Sequence, residues 1–137
     1  MPLYHVLPAL AAIAFLLGGL ASIVRADAAR MPGVWLLPAG LSAVLLVWSI
    51  WTIALEGPLG FWFEHSRDAW GNQIWFDLLL GVGTAFALLA PHARAKGMRL
   101  VPWFLAIACS GSIGMLAMCA RYLFLCETGQ TTHRTPV

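Results

Sequence analysis

Charge is sparse in this chain: eight Lys and Arg and six Asp and Glu stand among 137 residues, 10% in all. Soluble domains carry roughly 25% charged residues and about 45–50% apolar ones; here the apolar share is 61%. A soluble core of this size leaves about a third of its surface in water and cannot hide so much apolar area. The shortage of charge therefore argues against a water-soluble enzyme, a disordered chain and a nucleic-acid binder. Cysteine is scarce too: Cys109, Cys119 and Cys126 are the full set, with no C-x-x-C. The closest two lie about 10 Å apart along a helix, beyond the Cα spacing of about 4.4–6.8 Å that a disulfide bridges. A disulfide scaffold and a thiol–disulfide centre drop out, leaving the thiols as small apolar packing groups. The four histidines, His5, His65, His92 and His133, show no H-x-x-H or H-x-x-x-H spacing. Haem or metal held between bundle helices wants ligands projecting inward from facing positions, so no cofactor is expected.

What the chain has is length of apolar run. A bilayer core about 30 Å thick needs roughly 20 mostly apolar residues per helix, and stretches near 7–24, 34–55, 72–90 and 100–125 meet that need. They show no two-residue alternation, so helices fit better than barrel strands. The reading is an all-α polytopic membrane protein: a four-transmembrane-helix antiparallel bundle forming one domain over 1–127, with a polar tail over 128–137. The Trp- and Phe-rich connection from Glu56 to Gly71 reads as a loop with a short interfacial helix. An A-x-A triplet, Ala26-Asp27-Ala28, follows the first apolar run, but no basic residue precedes it and Arg25 stands where a stop belongs. The segment is expected to be a retained span rather than a cleaved leader.

Basic residues give the sidedness, because short cytoplasmic loops are enriched in Lys and Arg. Arg25 and Arg30 fall in the first loop; Arg94, Lys96 and Arg99 fall in or beside the third. Loops 25–33 and 91–99 are thus expected to be cytoplasmic, with both termini and the acidic second loop outside. Six of the seven tryptophans fit aromatic belts, Trp35 and Trp103 on the inner side and Trp51, Trp62, Trp70 and Trp75 on the outer, with Trp48 deeper.

Asp77 is the residue that most invites a function. It falls about 8 Å into the third span, where an acid is expensive and usually has a partner or a task. On an antiparallel fourth helix Arg121 reaches a similar depth, so the two are expected to pair or to share a water-filled pocket. Asp77, Gly81, Thr84 and Leu88 form one stripe; Gly111, Gly114, Met118 and Arg121 form another. In that register Thr84 faces Gly114, and small residues let the backbones approach. Glu56 and His65 are further candidates for acid–base roles, on a loop able to fold over the pocket as a lid. Asn72 and Gln73 are candidate orienting groups, with Thr84 at the seam. Trp48, Trp51 and Trp75 are candidate contacts for a flat hydrophobic ligand. The plainer reading stands beside this one: Asp77 and Arg121 lock two helices together, and the loop charges keep the loop out of the bilayer.

The stretch from Trp70 to Arg121 carries a recognisable pattern. It contains Phe76-Asp77-Leu78 with Gly81 after it, then the basic turn Ala93-Arg94-Ala95-Lys96-Gly97-Met98. Pro102, the pair Gly111 and Gly114, and Arg121 follow. This resembles small four-helix bacterial membrane proteins of unknown function, distantly similar to the plant neoxanthin-synthase-like family of carotenoid metabolism. Asn72 stands where the carotenoid-linked proteins tend to have His, and Ser112 where they tend to have Pro. The resemblance implies a four-helix fold in a bacterial inner membrane and adds weight to Asp77 and Arg121.

Two functions follow as expectations. One is an outward-facing polar site around Asp77 and Arg121 that binds or converts a lipophilic, terpenoid- or carotenoid-like molecule, since isomerisation or cyclisation needs little more than a placed acid and base. The other is a non-catalytic subunit or assembly factor of a membrane complex, partnered by another membrane protein or by a second copy. Membrane lipid is a partner in either case, and nucleic acid in neither. A small transporter fits less well, because transport wants ionisable groups near the bilayer midplane.

Overall fold

The computed structural model describes residues 3–24 and 32–131. Among the described residues the protein is all-helical, with six helices and no strand: α1 (Leu3–Val24), α2 (Leu36–Glu56), α3 (Gly60–Ser66), α4 (Ala69–Ala95), α5 (Leu100–Ser110) and α6 (Ser112–Thr131). The chain forms two compact units, Met1–Pro32 and Gly33–Val137. The loop arginines Arg25 and Arg30, and the tail beyond Thr131, lie outside the described residues.

The first unit is α1, which begins earlier than the expected boundary at residue 7 and continues through Pro8. The second unit holds the rest. Glycines with positive φ punctuate it: Gly33 (φ 80°) precedes α2 and Gly57 (φ 84°) ends it. The Gly57 N–H closes the last turn on the Ile53 carbonyl at 2.9 Å. As the Trp-rich sequence suggested, α3 is a short helix between α2 and α4. α4 starts before residue 72 because Asp68 caps it, its carboxylate accepting from the Gly71 N–H at 2.8 Å. It also runs past Pro91 to Ala95, with His92 and Arg94 in its last turn, where positive charge suits the helix dipole.

The expected single helix over 100–125 is not formed. At Gly111 the backbone adopts φ 57° and ψ −123°, a conformation that glycine reaches without steric cost, and the chain doubles back. The main chains of Ala106 and Ile107 then lie against Gly114, where an added Cβ would come within 2.9 Å of both. Ser110 ties the two arms, its hydroxyl donating to the Ala106 carbonyl at 2.6 Å and accepting from the Gly114 N–H at 3.1 Å. α5 and α6 are therefore an antiparallel hairpin. With 11 residues, α5 is about 16 Å long, about half a bilayer core.

α6 is the central helix of this unit, packed against α2, α5 and α4. Its Gly114, Met115, Met118 and Ala120 are buried. The core joins Met115 and Met118 to Ala93, Met98 and Ile107, with Val82, Phe86, Leu89 and Trp103 packed around them. Two hydrogen bonds fix the direction of α6 against α2. Ser42, buried in α2, donates to the Ile113 carbonyl at 3.0 Å, and Glu127 accepts from the Gly33 N–H at 3.0 Å. α6 thus runs antiparallel to α2. Its C-terminal end also reaches the basic turn after α4, where the Lys96 ammonium lies 3.9 Å from the place of a Cβ on Gly129. α6 therefore runs parallel to α4, not antiparallel to it as a continuous fourth span requires.

α2 and α4 are long and apolar enough to cross a membrane, and of their most apolar windows only 6% of the first and none of the second is buried. The core helix of a soluble protein has that stretch covered. Here Val44 is 70% exposed and Leu80 71% exposed.

Candidate functional site

The residues expected to form a site are split by the hairpin. Arg121, on α6, forms no ion pair with Asp77. Its guanidinium carbon lies 5.6 Å from the centroid of the Phe124 ring, and Phe124 in turn meets Trp35 edge-on at 5.4 Å. Arg121 belongs to the end of the unit that holds Gly33, Lys96 and Glu127. Asp77 belongs to the other half. The Lys96 side chain reaches Gly129; taking these two residues as level, Arg121 stands about 12 Å up α6 and Asp77 about 28 Å up α4, at about 1.5 Å per residue. The two charges are about 16 Å apart in height.

The stripe carrying Asp77 also faces the other way. At about 100° per residue, Val82, Ala85, Phe86, Leu89 and Ala93 share the face of α4 that meets the core. Asp77, Gly81, Thr84 and Leu88 lie well round from that face, and all four are exposed. Thr84 does not face Gly114, which is pressed on α5 instead. Asp77 makes no hydrogen bond or ion pair among the described residues.

A second group of expected residues does come together, at the corner between α3 and α4. The His65 ring lies 4.9 Å from Trp75, and Phe61 lies 6.1 Å from the same indole. His65 Nδ1 is bonded to the Phe61 carbonyl, so the imidazole is held within its own helix and is half-buried. Asn72 donates to the Asp68 carbonyl at 3.1 Å. Arg67 reaches Glu64 at 3.2 Å and Asp68 at 3.6 Å. The Gly71 N–H, and secondarily Arg67, hold the Asp68 carboxyl below its ordinary range. A cleft of about 210 Å³ opens here between Glu64, His65, Arg67, Asp68 and Trp70, floored by Gly71. Gly71 is obligatory at this corner, since a Cβ on it would run into the Glu64 carbonyl.

The remaining candidates stay apart. Glu56 is the exposed last residue of α2, its Cβ close to Gly60. Gln73 is exposed on the outer side of α4. Trp48 and Trp51, with Ala43, Val44 and Val47, line an open apolar groove of about 480 Å³ on α2. The side chains of His5 and His133 lie outside the described residues.

No family model, curated protein or solved structure matches this chain. What the chain does must come from its own geometry.

The sequence reading missed three residues that hold this geometry. Asp68 was legible as a cap, an acid just ahead of an apolar helical run. Gly71 and Ser42 gave no such signal, because each matters only through a neighbour far along the chain or across a corner.

Proposed function

We propose that this is a small integral membrane protein serving as a docking subunit or assembly factor in a membrane complex. The observation that carries the reading is the place of Asp77: exposed on the outer face of an apolar helix, away from the core and without a counter-charge among the described residues. Ionisable groups within membrane helices face protein or water and pair with something, so an outward carboxylate marks a surface that another helix covers. In this reading α1, α2 and α4 span a bacterial inner membrane, and the α5–α6 hairpin dips into it from the cytoplasmic side. The basic turn Arg94–Arg99 supports that sidedness, as does Arg121 over Phe124, whose ring meets Trp35, a residue suited to an inner aromatic belt.

The groove at Trp48 and Trp51 favours a second reading, a surface for a lipophilic molecule of the terpenoid or carotenoid class, with which the pattern around Asp77 is in keeping. Native mass spectrometry of the gently extracted full chain separates the two. The docking reading expects a second polypeptide in the retained assembly. A chain that carries only a bound lipophilic small molecule overturns it in favour of the second.

A further inference from the structure

We infer that Asp77 receives a basic side chain from a different membrane protein, a Lys or Arg carried on a transmembrane helix at the depth of Asp77. This names the partner chemistry of the docking reading and rests on it.

The inference comes from accounting for the cations among the described residues. Of the eight Lys and Arg, Arg94, Lys96 and Arg99 belong to the far end of α4. Arg121 lies over Phe124, about 16 Å from the level of Asp77. Arg67 is engaged by Glu64 and Asp68 in the corner before α4. Arg25, Arg30 and Arg134 are outside the described residues. α1 contains no Lys or Arg.

A second copy does not supply the missing charge. Two copies inserted with the same sidedness carry each residue at the same depth, so Arg121 of the second copy is again about 16 Å away in height. The charge that a second copy brings to this depth is another Asp77, a like charge. Thermodynamic demand falls on a different polypeptide. The surrounding surface suits the approach of a helix: nothing lies within 4 Å of a Cβ added to Gly81, and Thr84, one turn further along, is exposed.

The test places a photo-crosslinking residue at Leu80, beside Asp77 and 71% exposed, in the full chain in its native membrane. The expected result is an adduct with a second polypeptide whose crosslinked span carries a Lys or Arg. Its yield falls by about tenfold in Asp77→Asn, the response to about 1.4 kcal/mol of interhelical pairing. Pairing Asp77→Lys with an acid at that basic position in the other protein restores it. Asp77→Glu, which keeps the charge, retains the adduct, and unchanged thermal unfolding of Asp77→Asn shows that the loss is not misfolding. A crosslinked span without Lys or Arg, or a yield indifferent to Asp77→Asn, overturns this inference and leaves the docking reading standing. Adducts with lipid alone overturn both. Adducts only between copies of this chain overturn the inference and reduce docking to self-association.

Discussion

Gly114 of α6 lies against the main chain of Ala106 in α5, so close that a Cβ on it would stand 2.9 Å from both the carbonyl carbon and oxygen of Ala106. The neighbour is backbone and cannot swing aside as a flexible side chain does. This contact, with the turn at Gly111, converts what reads as one span into a hairpin.

Gly114→Ala should therefore destabilise the protein by about 1–3 kcal/mol, the usual cost of overpacking a filled site. Gly83→Ala, on α4 with open space around it, should be neutral or stabilising by up to about 1 kcal/mol, since alanine is the better helix former. Thermal unfolding of the two variants in one detergent makes the comparison. Equal effects would show that α5 and α6 do not pack at Gly114.

Gly111→Ala should cost about 1–3 kcal/mol, because an L side chain at φ 57°, ψ −123° is strained. A continuous helix through residue 111 carries no such penalty and gains from alanine. The sign of the change in unfolding temperature thus separates a hairpin from a straight fourth span.

Ser42→Ala removes the donor to the Ile113 carbonyl, a buried link between α2 and the start of α6. The expected loss is about 0.5–1.5 kcal/mol. Ser49→Ala, on the same helix and making no side-chain hydrogen bond among the described residues, serves as the comparison. Denaturant titration of both variants reads the difference.

The α3–α4 corner should loosen in acid. The folded state holds the Asp68 carboxyl below its ordinary value, so its contribution is complete above the unfolded value. It fades as pH falls through the lower, folded value. Exchange of the Gly71 amide, which Asp68 caps at 2.8 Å, should accelerate across that strongly acidic window beyond the intrinsic pH dependence. Asp68→Asn keeps an acceptor at the cap and should abolish the excess.

Sidedness gives a further outcome. Because the end of α6 adjoins Lys96, a reporter fused after Val137 should respond in the same compartment as one inserted in the Arg94–Arg99 turn. A reporter that responds only on the opposite side restores the straight fourth span and the outside C-terminus.

Helical class, the run of α2, the presence of a short helix before α4 and the middle of α4 were legible along the chain, because apolar run length is a local signal. Asp68 before Ala69 and Gly57 after Glu56 mark element ends wherever those elements pack. Asp77 stood out for the same reason, as a charge inside an apolar run. Its pairing with Arg121 was a different kind of statement. It assumed one unbroken helix over 100–125, and helical propensity does not reveal that Gly111 reverses the chain.

Sequence alone thus determined the apolar composition of these helices, the basic turn at Arg94–Arg99 and the isolation of Asp77 among apolar neighbours. Tertiary structure alone decided the direction of α6, and with it the 16 Å or so between the two charges. The physical reason is that an apolar run reports how much surface must leave water, while a single glycine turn and a main-chain contact decide where the helix goes. Gly114 could meet Ala106 only once the chain had doubled back, and that meeting sent Arg121 to the basic end and left Asp77 facing outward.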